Sequence, residues 1–171
     1  GGLAIDPNRI DYALESDASL PEIALPQLDD ASLRIGERVA GLIQDGDCLQ
    51  TGIGAIPAAI LGQLTHKNDL GLHGGLLDGG GQALIQSGNV TGQRKAIDQG
   101  QHVTGMALGD HAFFNWLSDA SDVVFRSANY THDVDIIRQL DQFVSINSAV
   151  EVDLFGQVNA EVAGGRQISG T

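Results

Sequence analysis

Two carboxylates, Glu151 and Asp153, stand two residues apart near the C-terminal end of this chain. If residues 150–154 form a strand, both point to the same face. That is how a general acid and a general base can be paired. The run Gly52-Ile53-Gly54-Ala55-Ile56-Pro57 offers a different chemistry. Two glycines and a proline at a strand-to-helix turn would bring backbone N–H groups and a positive helix end toward a phosphate or another anionic oxygen. The same residues also serve a tight turn that lets helix and sheet pack closely. His73 heads the run His73-Gly74-Gly75, and Asp78 lies in Leu77-Asp78-Gly79-Gly80, which reads as a turn.

Other reactive types are sparse. His66, His73, His102, His111 and His132 are dispersed, with no i, i+4 pair and third ligand of the kind a zinc site needs. They read as solvated or capping residues, and no metal is expected. Cys48 is the only cysteine, so no intrachain disulfide and no thiolate metal site can form. It lies in an apolar run and reads as a small core residue. No Gly-x-Ser-x-Gly elbow is present, although spacing alone leaves a Ser–His–Asp triad open.

These residues need elements to position them. Residues 1–30 are acidic, punctuated by Pro7, Pro21 and Pro26, and read as a linker or arm extended against another domain. Asp29 or Asp30 caps a helix whose apolar face would be Leu33, Ile35, Val39, Leu42 and Ile43, stopped by Asp45-Gly46. Residues 48–51 read as a buried strand and 58–64 as a helix, with Pro57 in its first turn. Leu70 to His73 reads as a strand, followed by a glycine-rich turn, 74–81, and a short helix, 82–86. Further strands are expected at 103–108, 123–125 and 143–146. Helices are expected at 110–117, with Phe113, Phe114 and Leu117 facing in, and at 133–140. Residues 150–154 and 157–159 form a hairpin turned at Phe155-Gly156. Strands alternating with helices imply an α/β fold with a largely parallel sheet.

The bulk composition narrows the function classes. The 171 residues carry a net charge of −13, which repels phosphate backbones and argues against nucleic-acid partners. It also disfavours polyanionic ligands unless a local cation or helix end intervenes. The 42% apolar share is enough for a core, and 23 glycines imply close backbone approaches. No apolar run nears the roughly 20 residues of a membrane span, and no signal-peptide pattern opens the chain. A cytoplasmic protein with no membrane partner is expected.

Several stretches together resemble the acetyl-CoA hydrolase/transferase family, relatives of 4-hydroxybutyrate and succinate CoA-transferases. They are Leu49 to Pro57, Asp69 to His73, and Ser145 to Asn159, the last long and specific. Lys95, Gly109, Tyr130-Thr131 and Ile168 to Thr171 fall in family order. The resemblance covers about residues 31–171. It implies a CoA-transferase-like layered α/β fold, with 1–30 as a linker or the end of a preceding domain. Residues 31–171 would then be the first part of an incomplete C-terminal domain. It implies an acyl-CoA hydrolase or CoA-transferase acting on a small carboxylic acid, with coenzyme A as substrate and no covalently bound cofactor.

In that family a glutamate two residues after the histidine attacks the acyl-CoA carbonyl and later carries CoA as a thioester. Here that place is Gly75. Asp78 and Glu151 are the weak candidates to replace it. Gly52, Gly54, Ile56, Pro57, His73, Gly74, Gly75 and Asn147 are the residues the resemblance puts near acyl-CoA. It puts Glu151 and Asp153 around the hairpin that frames the CoA-side cleft, in a structural or cleft-lining role, with Asn147 and Gln157 as hydrogen-bonding partners. The alternative is a non-catalytic CoA-binding or assembly domain. A piece of a domain that exposes sheet edges is expected to form a homo-oligomer.

Overall fold

The computed structural model describes residues 6–24 and 26–168. The described residues ahead of Asp29 form an exposed arm with one 3-10 turn at Pro7–Arg9. The arm does not leave the body. The Ile23 N–H donates to Gly109 O (3.1 Å), and the His111 N–H donates to the Glu22 carboxylate (3.2 Å).

The body alternates helix and strand: α1 (Asp30–Ala40), β1 (Cys48–Thr51), α2 (Ala55–Gly62), β2 (Gly71–Leu77), α3 (Gly79–Gln86) and β3 (His102–Ala107). Then follow α4 (His111–Asp119), β4 (Val123–Phe125), α5 (Ala128–Thr131), α6 (Val134–Ile137) and β5 (Phe143–Ile146). These five strands make one sheet in the order β4-β3-β2-β1-β5, and every neighbouring pair is parallel. Leu49, Ile60, Leu61, Leu72, Leu84 and Phe113 lie in the core between sheet and helices. Trp116 and Phe114 pack around Phe113, as core residues should. Two small hairpins, β6 (Glu151–Val152) with β7 (Val158–Asn159) and β8 (Val162–Ala163) with β9 (Arg166–Gln167), end the described chain.

Several expectations need correction. The apolar stripe assigned to the first helix is largely outside: Leu33 and Ile35 are exposed, and Leu42 lies past the helix end. The buried face is Ser32, Gly36 and Ala40. A Cβ on Gly36 would fall 2.8 Å from the Ala59 backbone, so α1 and α2 meet through small residues, which a hydrophobicity pattern does not register. The expected glycine-rich turn at 74–81 is absent. Gly74 and Gly75 continue β2, and Gly79 to Gly81 open α3. Without side chains these residues let the neighbouring elements approach; a Cβ on Gly74 would lie 2.8 Å from Gln50 Cγ. Asp78 is therefore the cap of α3, accepting from the Gly80 and Gly81 N–H groups at 3.0 and 3.1 Å. The expected helix at 133–140 is the single turn α6, preceded by α5.

Candidate active site

In a parallel sheet all carboxyl ends lie along one edge, where α/β folds hold their ligands. Here that edge gathers the β1–α2 turn, the end of β2, the β3–α4 turn and the residues after β5. In the β1–α2 turn Gly54 has φ +121°, a conformation that requires glycine. It caps α2 without any side-chain bond. Ile56 and Pro57 fall within the first turn of α2. Beside Gly52, Asn147 Nδ2 donates to Ser145 Oγ (3.0 Å), and Ser145 Oγ donates to Gln50 Oε1. The sequence reading picked Asn147 from this row and missed Gln50 and Ser145. Gln50 lies inside the quoted run Leu49 to Pro57.

An apolar cavity of about 120 Å³ opens on this edge, lined by Ile53, Gly54, Leu76, Asp78, Leu108 and Gly109. Ile23 and Pro26 of the arm close one side of it. A second space, about 10 Å³, lies inside the sheet between Gln50, Thr51, His73, Gly74, His102 and Thr104. Leu49, Leu72, Leu76, Leu77 and Val103 line the rest of it, and it has room for about one water.

His73 and Gly75 differ sharply from what surrounds a solvated histidine. His73 is fully buried, with its ring 5.8 Å from that of Tyr130, and neither ring nitrogen has a hydrogen-bond partner. Burial, helped by the nearby Lys95 charge, pushes its pKa down to about 4, so the ring is neutral near pH 7. Lys95 is itself buried and donates to Leu72 O and Gln101 O at 3.3 and 2.9 Å. Burial lowers its pKa. His102 is buried too, paired with Asp122 at 3.3 Å, and burial lowers its pKa against the pull of that carboxylate. The expectation of five solvated or capping histidines thus fails at His73 and His102. Both sit on strands whose flanking helices exclude water. Cys48 is buried as expected, its thiol pushed up to about 11 by burial.

Over Gly75 stands an imidazole. A Cβ at position 75 would lie 2.8 Å from His132 Cε1 and 3.2 Å from His132 Nε2. His132 Nδ1 is 2.8 Å from the Thr131 hydroxyl, and the Thr131 side chain is buried at the end of α5. Tyr130, one residue earlier, donates to Asp98 Oδ2 (2.8 Å) and lies under the Arg126 guanidinium, 5.4 Å from its ring centroid. Burial and the bond to Asp98 raise the Tyr130 pKa. His132 was counted among the dispersed histidines; its position directly after Tyr130-Thr131 was the available signal.

The proposed carboxylate pair is not formed as drawn. Glu151 lies in β6 and bonds Asn159 Nδ2 (3.1 Å), but Asp153 lies beyond the strand, in the turn. There Asp153 accepts from the Phe155 and Gln157 N–H groups at 2.8 and 2.9 Å. A two-residue strand cannot present both side chains on one face. Gln157 acts through its backbone N–H. Among the described residues no group of three or more histidines, cysteines or carboxylates could hold a metal ion. Among the described residues no helix is long and apolar enough to cross a membrane.

The comparisons with known proteins agree with this fold. The family described as acetyl-CoA hydrolase/transferase C-terminal domain matches residues 109–171. The chain is 38% identical to the 4-hydroxybutyrate coenzyme A transferase of Clostridium kluyveri over 170 residues, covering 99% of this chain and 40% of that protein. It is 34% identical over 169 residues to the butyryl-CoA:acetate CoA-transferase of Anaerostipes caccae, covering 95% of this chain and 37% of that protein. Among solved structures, RipA from Yersinia pestis superposes with a TM-score of 0.82 at 37% identity, over 88% of this chain and 34% of that one. The 4-hydroxybutyrate CoA-transferase from Porphyromonas gingivalis gives a TM-score of 0.80 at 36% identity, over 85% of this chain and 37% of that one. The chain therefore spans about 40% of the length of the curated relatives it matches.

Proposed function

The chain belongs to the acetyl-CoA hydrolase/transferase family, and from that premise we propose that it carries the reacting edge of an enzyme that hydrolyses the CoA thioester of a small carboxylic acid. The observation behind this reading is Gly75. A ping-pong transferase must hold an acyl or CoA group on the protein between its two half-reactions, which takes a nucleophilic side chain. At the place where the family resemblance puts that nucleophile, this chain has none. The candidate replacement acids are engaged elsewhere: Asp78 caps α3, and Glu151 accepts from Asn159 Nδ2. Water is then the acyl acceptor, and coenzyme A is a product and not a resident cofactor.

The rest of the edge supports acyl-CoA as the ligand. The uncapped N-terminus of α2 offers a positive end to a phosphate or thioester oxygen. The 120 Å³ cavity suits a short acyl chain. We take residues 31–171 as the first part of the C-terminal domain and 1–30 as the linker into it, because one continuous sheet runs from β1 to β5 across residue 109. The exposed apolar side chains of Leu154, Phe155, Val152 and Val158 support a homo-oligomer that covers the β6–β7 hairpin.

A non-catalytic CoA-binding domain is the second reading, favoured by the same loss of a side chain at Gly75. Acetyl-CoA and butyryl-CoA are to be titrated calorimetrically into the full-length protein, with free thiol followed in the same samples. Thiol release that does not depend on an added carboxylate supports the hydrolase. Binding without release supports the second reading, and CoA passed to acetate contradicts both.

A further inference from the structure

We propose that His132 is the catalytic base of this hydrolysis, standing in the space that a side chain at position 75 would fill. The inference rests on the hydrolase reading and adds the residue that activates water. Three observations carry it. Among the described residues, its chain neighbours aside, the ring is the sole group within 4 Å of a Cβ placed on Gly75. It is anchored at one nitrogen, since Nδ1 is 2.8 Å from the Thr131 hydroxyl. Its other nitrogen, Nε2, lies 3.2 Å from that Cβ position.

The anchor matters because imidazole has two tautomers. In the tautomer whose Nδ1–H donates to Thr131 Oγ, Nε2 carries the free lone pair, 3.2 Å from the Cβ position on Gly75. Thr131 is nearly inaccessible, 1% exposed, so it holds the ring from a fixed place. His132 itself is exposed, so substrate and water can reach Nε2. His73, by contrast, is sealed inside the sheet, and burial has already made it a poor proton acceptor.

The step balances with water as the only co-reactant. A water O–H bond breaks, its proton passes to Nε2, and its oxygen bonds to the thioester carbonyl carbon. The tetrahedral species collapses, the C–S bond breaks, and the sulfur takes the proton back from Nε2. The products are the free acid and the CoA thiol. No bond to the protein forms at any point.

The test is thiol release by the full-length protein and its His132→Ala, His132→Gln and His66→Ala variants. His66 is exposed on the loop after α2 and serves as the control. His132→Ala is expected to lose about 100-fold in kcat with little change in KM, within the roughly 10²–10⁴-fold that a positioned base supplies. Added imidazole is expected to restore part of that loss in His132→Ala and none in His132→Gln, whose side chain occupies the space. His66→Ala stays at the wild-type rate. Wild-type hydrolysis with an undiminished His132→Ala rate overturns the role of His132 and leaves the hydrolase reading standing. A drop in His132→Ala that imidazole does not relieve overturns the base role in favour of a structural one. No thiol release by the wild type overturns the hydrolase reading and this inference with it.

Discussion

Replacing Gly75 by glutamate puts a carboxylate back where the family resemblance expects one, and the structure says what it meets. Position 75 has ordinary strand backbone, not the left-handed conformation that excludes side chains. The new Cβ falls 2.8 Å from His132 Cε1, about 0.6 Å inside ordinary van der Waals contact. The obstacle is the far end of an exposed, rotatable side chain, so the ring swings away. That breaks the bond to Thr131, worth about 1 kcal/mol. Removing a strand glycine returns about 0.5–1 kcal/mol. The variant should therefore remain folded, with its urea midpoint moved by no more than about 1 kcal/mol equivalent. Function should change far more. Displacing His132 is expected to lower acyl-CoA hydrolysis about 100-fold, while the carboxylate becomes able to carry a covalent CoA adduct visible by intact mass. The double variant Gly75→Glu/His132→Ala should carry more adduct, because the space is then clear. A folded Gly75→Glu protein that hydrolyses acyl-CoA at the wild-type rate and carries no adduct would refute the placement of the reaction over Gly75.

Three further outcomes follow from the geometry. Gly36→Ala drives a methyl group to 2.8 Å from the Ala59 carbonyl carbon and oxygen, which are fixed backbone atoms. Overpacking of about 1–3 kcal/mol outweighs the helix-propensity gain of about 1. A net loss is expected as a lower urea midpoint at unchanged slope, and a stabilised variant would contradict the close α1–α2 contact. The depressed pKa of His73 means that the unfolded chain binds a proton between about pH 6.5 and 4 and the folded chain does not. Stability should then be full above pH 6.5 and fall by roughly 3 kcal/mol as pH drops through that window. Denaturant titrations of wild type and His73→Leu across the window test this: the variant's slope should be flatter, and equal slopes would contradict the burial of a neutral ring. Leu108→Trp narrows the apolar cavity. It should lower kcat/KM for butyryl-CoA about 10-fold relative to acetyl-CoA, and an unchanged ratio would remove the acyl chain from that cavity.

Periodicity and turn residues made much of the fold legible. The five strands, the cap at Asp110 and the hairpin turned at Phe155-Gly156 are local patterns that the sheet obeys. Failure came where glycine's usual meaning was overridden by packing. Gly74 and Gly75 read as turn because glycine so often is one, yet β2 uses them to bring Gln50 and His132 close. The outward Leu33 and Ile35 of α1 misled for a related reason, since the real contact runs through Gly36 and Ala59. The site was half legible. Gly52, Gly54 and Asn147 share the carboxyl edge of the sheet, as a strand-to-helix turn and a strand end predict. The pairing of Gly75 with His132 joins residues 57 apart in sequence, and only the fold brings α5 over β2.

The claim that water, and not a side chain, attacks the thioester is tested most directly by a single turnover of acyl-CoA in ¹⁸O water, with both the released acid and the protein analysed by mass. The account predicts one labelled oxygen in the acid, free CoA thiol, and no label or adduct on the protein. Label in a protein carboxylate, or a CoA group attached to the chain, would contradict it.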